Sequence, residues 1–322
     1  MRVATQLLLI LLVSCGLAHA QTNYPNKPMR LVVGFPAGGP SDMFARTIAQ
    51  KLTEVVGHQV VVDNRAGVNG MMAAEYVVKS VPADGYTFYL SSSGVLALAP
   101  HLYKTLLVDP DKDFTPVTLA VTVPEMLVVH PALPVKTAKE FAALAKAKPG
   151  QLTYASTGNG SMPHLAFESF LTAAAVRIVH VPYKGAAPAM TDLLGGHVQA
   201  SILDVPVLLP QVKAGRIHAL AIATGKRSPA LPQVPTMAEA GFPAVNADNW
   251  YGVVVAAATP KDIVAKLHAV LTIALQAPET RDRLAAIGAG AVTTTPEQFA
   301  SFVRAESVKW GKIIKTAGVT LE

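Results

Sequence analysis

Short apolar runs bounded by glycine, proline and small polar residues alternate along this chain with longer stretches whose apolar positions recur every three or four residues. The first pattern is that of buried strands and the second that of amphipathic helices. On this reading 29–33 is a strand and 44–56 a helix, 60–62 a second strand and 71–80 a helix, and 87–90 a third strand, with Ser91-Ser92-Ser93-Gly94 opening the next helix. A new set begins around 127–129. The helix 138–148, the strand 152–155, the loop 156–163 and the helix 164–173 follow, then the strand 178–181 and the helix 186–194, which stops at Gly195-Gly196. Two more buried strands read at 200–203 and 219–223. The proline-rich stretch 228–243 then interrupts regular structure, before a strand at 252–257 and long surface helices at 260–276 and 296–316. Strands alternating with helices predict parallel sheets covered on both faces, and 322 residues support two such cores better than one. The expected fold is therefore α/β in two lobes. No solenoid or propeller repeat interrupts it.

Part of the apolar excess (51% hydrophobic, mean hydropathy +0.37) is local to the start of the chain. Residues 1–20 have the form of an export signal. Arg2 gives the positive start, Leu7 to Val13 the apolar run, and Ala18-His19-Ala20 a small-x-small cleavage site. That run is too short to span a bilayer comfortably, and no later segment offers about 18 uninterrupted apolar residues. Export to the periplasm is the expectation. Cys15, the only cysteine, lies inside this signal, and Leu12-Val13-Ser14-Cys15 also loosely fits a lipoprotein signal, so lipid anchoring at Cys15 is the alternative to cleavage after Ala20. Either way no disulfide can form within the chain, and thiol catalysis and cysteine zinc sites are excluded.

A net charge of +6 suits anionic partners, but the Lys and Arg residues are scattered and aromatics reach only 6%. Without basic blocks interleaved with stacking rings, no nucleic-acid surface is expected. The histidines form no His-Glu-x-x-His or other tight ligand spacing, so no metal and no cofactor is expected.

The informative feature is a set of three glycine-rich loops, each joining a strand end to a helix start. They are Gly34-Phe35-Pro36-Ala37-Gly38-Gly39-Pro40-Ser41-Asp42, Asn64 to Gly70, and Ser156-Thr157-Gly158-Asn159-Gly160-Ser161. The first amides of a helix have no partner within it, and the helix dipole favours negative charge there. Glycine lets a ligand approach the main chain, and in open α/β sheets ligands sit beyond the carboxyl ends of the strands. A carboxylate cradled by loops from two lobes is the natural occupant. The bland alternative is that each loop is a tight turn, with Ser41 or Asp42 capping the helix that follows. Neither a P-loop nor a Gly-x-Ser-x-Gly elbow is present. Ser161 and His164, three apart at a helix start, and Asp42 with Asp204 are the weak catalytic alternatives. His180 reads as a satisfied core histidine.

The segments YPNKPMRLVVGFPAGGPSDMFAR (24–46), VVVDNRAGVNG (60–70), YASTGNGSMPHLAFESF (154–170), VHVPYKGAAPAMTDLLGGHV (179–198) and KRSPALPQVPTMAEAGFP (226–243) resemble the tripartite tricarboxylate transporter receptor family, the Bug-type periplasmic solute-binding proteins. The resemblance covers nearly the whole chain after the signal. It implies a type II periplasmic binding fold with a ligand cleft between the lobes, lobe 1 being 27–122 with 246–322 and lobe 2 being 123–245, with crossings near 113–123 and 245–250. It implies no catalysis. The ligand would be a small carboxylate (an organic, amino or aromatic acid), and the partners membrane permease subunits, with a sensor protein as a further partner; the receptor is expected to be a monomer. The implied ligand shell is Phe35, Pro36, Ala37, Gly38, Gly39, Ser41 and Asp42 in lobe 1, with Asn64 and Ser92. In lobe 2 it is Ser156, Thr157, Gly158, Asn159, Gly160 and Ser161, with His164, Tyr183 and Asp204. One departure stands out. The family commonly has Asp-Asn before Leu-Pro-Ser where this chain reads Leu203-Asp204-Val205-Pro206-Val207, so Asp204 would disfavour a second carboxylate and favour an amine, ring nitrogen or hydroxyl. The competing reading of Asp204 is a buried structural carboxylate.

Overall fold

The computed structural model describes residues 24–321; the expected signal and Cys15 lie outside them. Strands β1 (Met29–Val33), β2 (Val60–Asn64) and β3 (Thr87–Ser92) are parallel neighbours, with the helices Pro40–Val56 and Met71–Lys79 as crossovers. β4 (Phe114–Val129) is unexpectedly long. Its first part pairs with β9 (Asp248–Ala256), from Phe114↔Ala256 to Pro124↔Asp248, and its last five residues pair with β7 (Ala200–Asp204), from Glu125↔Asp204 to Val129↔Ala200. β5 (Thr153–Ser156) and β6 (Val179–Pro182) continue beyond β7 in parallel, β8 (His218–Ile222) flanks the end of β4, and β10 (Gly290–Ala291) pairs with its first part. Of the residues 113–123, read from sequence as a connection, all but Asp113 are thus strand. One continuous β4 changes sheet partner between Pro124 and Glu125, from β9 to β7.

Several helices start at a side-chain cap. Thr137 accepts from the Glu140 amide, Ser161 from the His164 amide, and Thr295 forms a reciprocal box with Gln298. Proline at the first turn appears again and again, as at Pro40, Pro163 and Pro296, because its missing N–H is one the helix cannot use. Two helices escaped the sequence reading, Val205–Lys213 and Pro278–Ala286. The first carries Pro206 and Pro210, which argue against a helix on sequence, but it is anchored by buried Val205, Leu208 and Leu209.

The long C-terminal helix Pro296–Ala317 ties the molecule together. Phe299 and Val303 pack with Trp250, Val254 and Leu119, while Trp310 and Ile314 pack with Phe141, Phe167 and Phe170. Leu98 and Leu102 join that second cluster. Gly252 leaves room for the Phe299 ring, since a Cβ there would lie 2.0 Å from it. No described helix is long and apolar enough to cross a membrane.

Candidate functional site

The first loop runs from the end of β1 into the helix Pro40–Val56. Gly39, not Ser41 or Asp42, is the N-cap. Asp42 sits in the first turn and accepts from the Gly38 amide at 3.0 Å and from Arg46 Nε at 2.9 Å. Burial pushes the Asp42 carboxyl up, but these two bonds outweigh it and hold the group below the usual carboxylate range. Asp42 is therefore an anion that shapes the loop by folding Gly38 back. Gly38 has φ +81° and open space where a Cβ would stand. Asn64, at the end of β2, fixes the same loop by donating to the Phe35 carbonyl at 3.1 Å. A Cβ on Gly34 would lie 2.6 Å from Gly70 Cα, so the first two loops touch main chain to main chain.

Three hydroxyls here have no protein partner. Ser41 Oγ, Ser91 Oγ and Ser92 Oγ are buried and unbonded, in residues 2%, 0% and 4% exposed. Buried hydroxyls are nearly always bonded, and an unpaired one costs about 1–3 kcal/mol. Ser41 lies in the first loop and Ser92 at the carboxyl end of β3, the two places where the fold class puts ligand.

The third loop is held from within lobe 2. Ser156 Oγ accepts from the Gly158 amide at 3.2 Å and meets His180 Nε2 at 2.7 Å. With the proton on Nε2, His180 donates to Ser156 and Ser156 donates to the Gly158 carbonyl, 3.1 Å away, which satisfies the Ser156 hydroxyl as donor and acceptor. Ser161 Oγ donates to the same carbonyl, and His164 Nδ1 accepts from the Gly160 amide at 3.0 Å. The two imidazoles stack at 4.0 Å, with Tyr154 and Phe167 continuing the column. Burial pushes His164 down to about 3, helped by its neighbour His180, and pushes His180 down to about 4. Both are neutral scaffolding. Ser161 and His164 meet only through the His164 main chain, and Tyr183 commits its hydroxyl to Asp192 at 2.6 Å.

The second and third loops meet directly. Asn69 Nδ2 donates to the Asn159 carbonyl at 3.1 Å. Asn69 (φ 51°) and Val68 (φ 46°) both hold left-handed backbone, a strained choice for a β-branched valine.

Asp204, 9% exposed, accepts from Asn249 Nδ2 at 3.0 Å and stands opposite Glu125 on the neighbouring strand. It accepts from a side-chain amide and faces a second carboxyl. A carboxyl so engaged is not a lone counter-charge awaiting an amine. Glu125, Asn249 and Ser93 were missed from sequence, whereas Asn69 lies in the second glycine loop already singled out there. The signal for Glu125 was a single acid directly before the apolar run Met126-Leu127-Val128-Val129. No group of three or more acidic, histidine or cysteine side chains fit to hold a metal occurs among the described residues. A hollow of about 430 Å³ lies against Gln276, Arg281 and Asp282, away from the loops, and holds no buried orphaned hydroxyl.

The family model described as tripartite tricarboxylate transporter family receptor matches residues 44–319. The chain belongs to that family. It is similar to Protein BugT of Bordetella pertussis, 37% identical over 97% of either chain. Among solved structures it resembles R. palustris Rpa4515 with adipate, at 40% identity and TM-score 0.88 over 92% of this chain and 99% of that one. It also resembles MatC from Rhodopseudomonas palustris with bound malate, at 31% identity and TM-score 0.83 over 90% and 100%. The receptor therefore has the two-lobe fold of periplasmic solute-binding proteins, as the alternating pattern and the five motifs led one to expect.

Proposed function

We propose that this receptor captures a small dicarboxylate between its glycine loops and delivers it to the permease of a tripartite transporter, without transforming it. The observation that carries the reading is the pair of buried, unpartnered hydroxyls, Ser41 and Ser92, at the helix-start and strand-end positions where an anion is held by amides and hydroxyls. The malate and adipate in the related structures support the ligand class. We infer lobes of 27–122 with 246–322 and of 123–245. The change of β4 partner at 124/125 supports that division, with the C-terminal helix as a strap over both. Export by residues 1–20, with lipidation at Cys15 as the alternative, is part of the same reading. So are the ligand roles of Phe35 to Gly39, Thr157 to Gly160 and the side chains named above. The enzyme alternative has little to work with: Asp42 is bonded to Gly38 and Arg46, and His164 is neutral and bonded to Gly160. Isothermal calorimetry against C4 to C6 dicarboxylates, amino acids and aromatic acids tests the proposal. Saturable binding of a dicarboxylate with no product on incubation supports it. Binding confined to amines, or turnover of the bound acid, overturns it.

A further inference from the structure

At the point where β4 changes partner, two carboxyls face each other across one rung of the sheet, Glu125 of β4 and Asp204 of β7. Glu125 is 0% exposed and Asp204 9%. Both oxygens of Glu125 lack a donor from any other group, so if both acids were ionised, two negative charges would stand side by side without compensation. Like charges opposed in a sheet are destabilising, and a buried unpaired carboxylate more so. One proton between them resolves this, because a protonated Glu125 donates to Asp204 and leaves Asp204 free to accept from Asn249.

The surroundings do not supply the missing charge. Facing the pair from β9 are Asp248, a third carboxyl; Asn249, which donates to Asp204; and Tyr251, whose phenol burial pushes far up and both acids push further. The groups from the helix Pro296–Ala317 are Glu306 and Lys309, and they act on Asp248. Burial pushes Asp204 up to about 6 and Glu125 well above the ordinary carboxylate range, Glu125 being raised further by Asp204 and Asp248.

The pair is also wired into closure. Asn249, on the second chain crossing, donates to Asp204 and accepts from Ser93 Oγ at 2.8 Å, so a chain of hydrogen bonds runs from Ser93 through Asn249 to Asp204, the acid opposite Glu125. Ser93, Asn249 and Tyr251 form part of what keeps water from the acids. Separating the lobes hydrates the pair, and hydration is what an ionised pair needs.

We propose that Glu125 and Asp204 form a proton-holding hinge, so that the lobes close with a proton in place and open more readily once the pair ionises. Capture is then coupled to the pH of the compartment, closure being favoured in acid and loosened as pH rises. The inference rests on the two-lobe reading and not on the identity of the ligand.

The test uses the ligand-free receptor, so it fails or succeeds independently of any carboxylate. Spin labels at Lys79→Cys and Lys146→Cys, in a Cys15→Ser background, report the distance between lobes from pH 5 to pH 8. The expected result is a closed population that falls as pH rises, by up to tenfold per pH unit for each proton released within the titration window. The double hinge variant Glu125→Gln/Asp204→Asn, which leaves no titratable proton in the pair, should hold the closed population constant across that range. The single variants, each with one buried acid left, should weaken the response, and they decide the matter if the double variant fails to melt cooperatively. His164 and His180 titrate below this window and do not mimic the effect. A wild-type distance distribution identical at pH 5 and pH 8 overturns the proposal. So does a pH response that persists in the hinge variants, which would assign it to another group such as Asp248.

Discussion

Asn69 of the first lobe reaches the main-chain carbonyl of Asn159 in the second, 3.1 Å away, from a turn whose backbone is left-handed at both Val68 and Asn69. Two loops far apart in sequence are thereby joined across the mouth of the candidate site. The strain at Val68 persists because the turn is fixed at both ends, by Gly70 against Gly34 and by Asn69 against its partner.

Removing that bond should loosen closure without unfolding either lobe. Asn69→Ala is expected to speed release of the proposed dicarboxylate ligand by about 2- to 10-fold, corresponding to the roughly 0.5–1.5 kcal/mol of one hydrogen bond. Stopped-flow dissociation measures it. An unchanged off-rate would show that Asn69 plays no part in holding the lobes together.

Ser41→Ala and Ser92→Ala separate ligand binding from folding. Neither hydroxyl has a protein partner, so the melting temperature of the free receptor should hold or rise as an unpaired buried group is removed. Affinity for the proposed dicarboxylate should fall by about tenfold or more for each, since hydrogen bonds to charged groups contribute roughly 1.5–3 kcal/mol. Calorimetry on the two variants is the check. Retained affinity would place the ligand elsewhere.

Glu306 holds two indoles. Its Oε2 accepts from Trp250 Nε1 at 3.3 Å and Trp310 Nε1 at 2.9 Å, and both rings are fully buried. Glu306→Leu strands both N–H groups and should cost about 2–5 kcal/mol in urea unfolding, while Glu306→Gln, which keeps an acceptor, should cost less. Equal losses would mean that packing, not the bonds, sets the effect.

The histidine column makes the fold sensitive to acid. Burial depresses both folded-state values below the ordinary 6.5, to about 3 for His164 and about 4 for His180. The unfolded chain therefore binds more protons between those values and 6.5, and stability falls as pH drops through that window. A loss of up to about 6 kcal/mol between pH 7 and pH 4 is expected from the pair, about 3 from each histidine. The hinge acids act with the opposite sign, since their raised values favour the folded state at low pH. His180→Gln should flatten the acid limb of a urea-midpoint profile, at a lower overall stability. An acid limb as steep as wild type would assign the sensitivity to other groups.

The α/β class and the family were legible in the sequence because both rest on local chemistry. Strand runs, helix periods, first-turn prolines and glycine loops are set by neighbours a few positions away. Positions 114–123 could not be read as strand, because this part of β4 is defined by a partner more than a hundred residues later, β9, running from Ala256 opposite Phe114 to Asp248 opposite Pro124. The helix Val205–Lys213 was hidden by prolines that tertiary burial overrides. The candidate loops were visible as punctuation, but the roles within them were not: Asp42 looked like a cap and proved to be a staple for Gly38, while His164 and Tyr183 turned to Gly160 and Asp192. Glu125 gave the sequence one hint, an acid in an apolar strand. Only the pairing of β4 with β7 placed Asp204 opposite it, because electrostatic coupling depends on distance in space, which the order of residues along the chain does not fix.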